Sequence, residues 1–293
     1  MKHRILGIDE NGLGPLLGPM VVTGTLLESD THSDLWFGDI SDSKMFFRTR
    51  SMNNFALVEE TAISIFYLLK KKMPSSPLEI LRAFCSNNGC TAGNDICTGR
   101  IPREFTWADS EKAKKRCFEF SQWASHNNVG IKNVSCVFIC PRKLNSFTRN
   151  NTKLFLDFLS FCSLIKEVNG KDKLEVEAGK IGGLKFYMPY IRYSMDDFQA
   201  EIVTEKESES IYILNRQESS MRVGFFMDVE KKSFPAALSS IAGKYIREIS
   251  MLSIRKSLNI EGDISGYHDR KTLRQIKGLK LHDIPEECVF RLK

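Results

Sequence analysis

Gly7-Ile8-Asp9-Glu10-Asn11-Gly12-Leu13-Gly14-Pro15 decides the reading of this chain. Arg4 to Asp9 has the composition of a β-strand, and two carboxylates stand side by side where it ends. Neighbouring residues on a strand point to opposite faces, so Asp9 and Glu10 diverge from one strand end. Carboxylates in an otherwise apolar strand are costly to bury unpaired. A hard cation offsets that cost, and oxygen is the ligand that Mg²⁺ takes. The Gly-x-Gly-Pro that follows brings backbone N–H groups and a surface without side chains close to whatever binds there.

Met20 to Leu27 is β-branched and apolar and reads as the next strand, antiparallel to the first across the Gly12–Pro15 turn. Further strands are expected at Val134–Cys140, Lys173–Ala178, Ala200–Thr204, Ser210–Asn215 and Arg222–Val229. Helical periodicity marks Asn54–Lys70, Leu78–Phe84, Asp109–Ala124, Thr152–Val168 and Pro235–Leu258. In the last of these Ala237, Leu238, Ile241, Ala242, Tyr245, Ile249 and Leu252 share one face. Cys85–Pro102 reads as a loop, and the stretch from Gly266 onward as a short basic helix and a tail. Strands alternating with helices make this an α/β chain.

The chain has 293 residues, long enough for a core that needs no staples. A hydrophobic fraction of 42% and a charged fraction of 27% are those of an ordinary globular protein. The net charge of +6 suits a polyanionic partner. No apolar run approaches the roughly 20 residues of a membrane span. Asp9 and Glu10 come too early for a signal peptide, so a cytoplasmic protein is expected. The 8 cysteines lack CxxC pairs, and most sit in apolar stretches as small hydrophobes.

Gly7 to Pro19, with its second Gly18-Pro19, resembles the opening motif of ribonuclease HII, usually Asp-Glu-Ala-Gly-Arg-Gly-Pro with a further Gly-Pro. It is most similar to a divergent bacterial branch in which Leu-Leu-Gly-Pro follows. Asp42-Ser43-Lys44 is similar to the family's triplet after the second strand. Phe234 to Glu248 resembles its Pro-containing helix, and Ser265-Gly266-Tyr267 the Ser-Gly-Tyr that follows. The resemblance covers residues 4–44, 173–190 and 222–272 and leaves about 75–150 unexplained. It implies a ribonuclease H-like mixed sheet flanked by helices. One domain would span 1–272, with a helical insertion at about 75–150 and a C-terminal helical tail at 273–293.

Members of the family hydrolyse the RNA strand of RNA–DNA hybrids or cut at ribonucleotides embedded in DNA. They use four carboxylates and two Mg²⁺ or Mn²⁺ ions. Two ions ~4 Å apart activate a water and stabilise the leaving oxygen. By resemblance Asp9 is the first ligand, Glu10 the second and Glu230 the fourth, with Asp228 the alternative. The position of the third is Gly179, which has no side chain to offer. Glu177, on the same strand face, is the substitute candidate, and Lys180 a cationic stand-in. Gly12 and Gly14 match the backbone readers of the ribose 2′-OH, with Leu13 where an Arg is usual. Tyr267 would stack near that ribose, and Lys44, Ser240 and Lys244 would hold phosphates. The partner is then a hybrid or a duplex with embedded ribonucleotides, met by a monomer. Two other readings stand beside the enzyme: a catalytically weakened relative that still binds hybrids, and a resolvase-like nuclease on branched DNA.

Overall fold

The computed structural model describes residues 2–30, 35–41, 52–85, 101–168, 170, 173–217, 219–260, 262, 264–277 and 285–291. Lys44 and the triplet that contains it lie outside them, as does most of the expected loop 85–102.

Strands β1 (His3–Asn11) and β2 (Met20–Ser29) pair antiparallel, with Asp9 opposite Thr23. The link between them, residues 12–19, is longer than a hairpin turn. Helices α1 (Met52–Lys70), α2 (Pro77–Phe84) and α3 (Ser110–His126) precede β3 (Val129–Ile139), which pairs antiparallel with β2. Then come α4 (Pro141–Thr148), α5 (Lys153–Val168) and β4 (Leu174–Gly179), which returns parallel to β1. Helix α6 (Met188–Ser194) leads to the meander β5 (Gln199–Glu205), β6 (Glu209–Arg216) and β7 (Ser219–Phe226). The chain continues into α7 (Phe234–Ser257) and α8 (Arg270–Ile276). The sheet has seven strands in the order β3-β2-β1-β4-β7-β6-β5. This is the mixed, helix-flanked sheet expected, with the Asp9 strand inside it and not at an edge.

Each face of the sheet has its own core. Helices α1, α3 and α7 cover one face, through Val58, Phe66, Phe120, Leu238, Ile241 and Tyr245 among others. Helices α5 and α6 cover the other, where Leu6, Ile8, Val176 and Ala178 meet Phe158, Phe161, Leu164 and Ile191. The alternation in β1 and β4 sorts their residues between the two. Ile8 and Ala178 point to α5, and Gly7, Asp9 and Gly179 to α7.

Gly7 explains how the long helix comes so near. A Cβ built there would stand 2.0 Å from Ala236 N, so only glycine lets the start of α7 lie against β1. The helix is stopped at that end by Ser233, whose hydroxyl accepts from Ala236 N–H at 3.2 Å. One face further along, Gly243 sits equally close to Asn11 and Thr23. The result is a helix running along β1 as far as its carboxylates.

The segment expected as an insertion is built into this core. Its strand β3 extends the sheet, and α3 packs on α1. The fully buried Glu59 of α1 accepts from the N–H groups of Thr106, Trp107 and Ala108 at 3.3, 2.6 and 2.7 Å. The Tyr245 hydroxyl of α7 donates to the same carboxylate at 3.0 Å. One acid thereby ties the approach to α3 onto both α1 and α7.

Two elements differ from the sequence reading. β7 stops at Phe226, not Val229, and Asp228 takes a left-handed conformation (φ 52°) that turns the chain into a 3-10 turn, Val229–Lys231. Helices α4 and α6, which the periodicity did not mark, begin at or next to Pro141 and Pro189, whose fixed φ suits the first helical turn.

Candidate functional site

Asp9 and Glu10 lie near the end of β1, and Glu10 lines a cleft of about 360 Å³. Its walls include the Gly12-Leu13-Gly14 turn, Phe55 of α1, Lys244 and Arg247 of α7, and Tyr267. Burial pushes the Asp9 carboxyl up to about 7; a hydrogen bond from Ser240 opposes this, and the nearby charge of Glu230 adds to it. Glu10 is also raised to about 7, by burial first and then by the charge of Asp9. The Leu13 N–H, Arg291 and Arg247 pull it back. Its Oε1 is enclosed and has no hydrogen-bond partner.

Glu230, on the 3-10 turn after β7, is thus near enough for its charge to act on Asp9, although more than two hundred residues separate them in sequence. Asp228 does not: its left-handed backbone turns it outward, where it pairs with Lys231 at 2.7 Å. Gly179 stands where the third ligand was expected, for a Cβ there would lie 3.0 Å from Asp9 Oδ1. Glu177 pairs in register with Gly7, two residues before Asp9. Lys180 turns away, its Nζ donating to the Lys206 carbonyl at 2.7 Å.

A carboxylate missed in the sequence stands here instead. Asp157 of α5 has no exposed surface, and neither of its oxygens has a hydrogen-bond partner in the protein. Its carboxyl is pushed well above the usual range, first by burial and then by the charges of Glu10 and Asp9. The signal was present as an Asp interrupting Leu154-Phe155-Leu156-Asp157-Phe158-Leu159 on a core-facing helix. It reads simply as amphipathic unless the cost of that one buried acid is asked about.

The glycine turn is held from behind. Gly12 has φ +100°, and a Cβ on it would meet Arg247 Nε at 2.7 Å. Arg291, 5% exposed, donates from Nε to the Gly18 carbonyl at 2.7 Å and from Nη1 to that of Gly12. Burial and the charge of Arg247 lower its pKa to about 10, against the pull of Glu10. Leu17 and Phe290 form an antiparallel bridge beside it. Arg247 also lies 5.4 Å under the ring of Tyr267 and donates to the Ser265 carbonyl at 3.2 Å. Tyr267 is thus propped, half exposed, at the rim next to Gly14, whose own Cβ position is open. Ser240 and Lys244 share one face of α7, the first on Asp9 and the second in the cleft.

Oxygen-only donors suit a hard divalent cation, and three enclosed carboxylate oxygens without partners, two on Asp157 and one on Glu10, fit such an ion. Among the described residues no three acidic, His or Cys side chains are drawn tightly enough to enclose one ion. Mg²⁺ does not require that, since it keeps several waters and takes one or two carboxylates.

A family model described as ribonuclease HII matches residues 6–74, which include Asp9, Glu10 and the glycine turn. This chain resembles ribonuclease HII. The ribonuclease HII of Methanococcoides burtonii is 25% identical over 115 residues, 39% of this chain and 53% of that relative. The match thus spans about half the length of the curated relative. Among solved structures, that of the PCNA:RNase HII complex from Archaeoglobus fulgidus aligns at 13% identity over 99% of this chain and 94% of that one, with a TM-score of 0.46. Bst-RNase HIII in complex with Mn²⁺ aligns at 11% identity over 99% and 66%, with a TM-score of 0.45. No helix among the described residues of this ribonuclease HII-like chain is long and apolar enough to cross a membrane.

Proposed function

We propose that this protein is a metal-dependent endonuclease that hydrolyses the RNA strand of RNA–DNA hybrids, or the ribonucleotide embedded in a DNA duplex. The observation that carries the reading is the adjacent buried pair Asp9 and Glu10, with the charge of Glu230 acting on Asp9, beside a cleft lined by Glu10, Gly12, Gly14 and Tyr267. Mg²⁺ or Mn²⁺ bound by these carboxylates would supply a water activated for attack and a stabilised leaving oxygen. Asp9, Glu10 and Glu230 would hold the ions, and Ser240 fixes the orientation of Asp9. The backbone of Gly12 and Gly14 lies open toward the cleft to meet a 2′-OH, the group that separates RNA from DNA. Tyr267 offers a ring face to the sugar, and Lys244 a charge to a phosphate. On this reading the protein works as a monomer in the cytoplasm.

Gly179 favours one second reading, a relative that binds hybrids without cutting them efficiently. A single assay separates the two. A labelled RNA–DNA hybrid, and a duplex with one ribonucleotide, are incubated with Mg²⁺, with Mn²⁺ or with chelator. The enzyme reading expects metal-dependent cleavage that Asp9→Asn lowers at least a hundredfold while hybrid binding persists. Hybrid binding without cleavage under any metal supports the second reading. The absence of both removes the first and the second together.

A further inference from the structure

We propose that Asp157 supplies, from helix α5, the third acidic ligand of the metal centre, the one that β4 does not carry at Gly179. The assignment rests on the metal-dependent nuclease reading, but it is tested on metal binding, with no nucleic acid present.

The argument begins with where α5 runs. Leu154 touches the loop after β4 so closely that a Cβ on Gly182 would come within 2.6 Å of its Cδ2. One turn on, Phe158 and Phe161 lie 6.2 and 6.3 Å from the ring of Phe225, next to the end of β7. The residue between these anchors, Asp157, is therefore fixed over the carboxyl ends of β4 and β7, and β4 pairs directly with β1. Nothing in the packing requires an acid there. Beside it along the helix stand Leu156, Phe158 and Ser160, and the Ser160 hydroxyl is spent on the Leu156 carbonyl at 2.8 Å.

An acid with no exposed surface and two unpartnered oxygens is a costly thing to keep. The cost is explained if both oxygens face a cation. The charges of Glu10 and then Asp9 act on this carboxyl, so it lies in the field of that pair. The enclosed, unpartnered Oε1 of Glu10 is the second orphan in the same place. The alternation of β1 accounts for the geometry: Asp9 faces α7 and Glu10 faces α5. An Asp at position 179 would approach from the α7 side, where a Cβ already lies 3.0 Å from Asp9 Oδ1. Asp157 brings the same charge from the α5 side, beside Glu10. The ligand has changed element and sheet face while keeping its neighbours.

The test measures Mn²⁺ binding by loss of the free-ion electron paramagnetic resonance signal, and thermal unfolding with and without Mn²⁺. Asp157→Asn should weaken Mn²⁺ at least tenfold and abolish most of the metal-induced rise in melting temperature. In chelator it should melt no lower than the natural protein, which a merely structural carboxyl would not allow. Gly179→Asp placed in the Asp157→Asn background should regain part of the affinity. Gly179→Asp alone should not tighten binding. Should Asp157→Asn misfold, Asp157→Ser and Gly179→Asp alone carry the same comparison. Unchanged Mn²⁺ affinity in Asp157→Asn or Asp157→Ser overturns the assignment, as does a clear gain in Gly179→Asp alone. Asp157-dependent Mn²⁺ binding in a protein that cuts no hybrid would sustain the ligand and sink the nuclease.

Discussion

Arg291 Nε donates to the Gly18 carbonyl at 2.7 Å, and the same guanidinium reaches the carbonyl of Gly12. A buried cation thus pins both ends of the turn that lines the cleft. It also faces Glu10. Arg291→Met should destabilise the fold by about 2–4 kcal/mol, since carbonyls and a carboxylate lose their charged partner. Arg291→Lys should restore the charge but not the forked contacts, and recover less than half of that. Urea denaturation checks both. In the active protein the loss should fall more on KM than on kcat.

Gly7 and Gly14 should respond in opposite ways. Gly7→Ala forces a methyl group against the Ala236 backbone, with no flexible side chain to yield. A cost above about 3 kcal/mol is expected, enough to threaten folding in a domain of ordinary stability. Gly14→Ala meets only the Tyr267 ring, at 3.9 Å, and should melt within a few degrees of the natural protein. If Gly14 serves a 2′-OH, its Ala variant should lose affinity for the hybrid and not for DNA of the same sequence.

Acidity should stabilise the metal-free protein. Asp9 and Glu10 titrate at about 7 when folded and near 4 when unfolded. Between those values the folded state holds more protons, so stability is full below about pH 4, falls as pH rises to 7, and is level above. The loss should be several kcal/mol, roughly 3–4 for each of the two groups. Saturating Mn²⁺ should reverse the trend, because the ion competes with those protons. Melting curves at pH 5 and 7.5, with chelator and with Mn²⁺, test this, and Asp9→Asn should flatten both slopes.

Tyr267 and Lys244 should divide recognition between them. Tyr267→Ala removes a half-exposed ring and should leave the melting temperature nearly unchanged. It should reduce discrimination of hybrid from DNA severalfold. Lys244→Met should instead weaken both duplexes alike and reduce the salt dependence of binding by about one counterion. Binding measured from 50 to 200 mM salt distinguishes the two patterns.

The parts of the fold legible in the sequence were those with short-range causes. Strict alternation exposed β4, and the apolar stripe exposed α7. Asp9, Glu10 and Glu230 were legible as candidates because each lies beside a glycine or proline motif that marks its position. Asp157 carries no such motif; it belongs to the site only because α5 crosses the strand ends, a matter of packing. Arg291 is hidden for the same reason, since its partners Gly12 and Gly18 lie at the opposite end of the sequence. The misplaced end of β7 has a local cause. Val229 continues the apolar pattern, but Asp228 adopts a left-handed conformation that asparagine and aspartate tolerate better than most residues.

The pairing of Gly179 with Asp157 bears on how such proteins are counted. A comparison that scores acids column by column meets a glycine at the third position and files the chain among the inactive. One that asks which acids share an electric field with Asp9 meets Glu10, Glu230 and Asp157. The two tallies part because a metal ion answers to charge and distance, and has no means of telling which stretch of chain an oxygen came from.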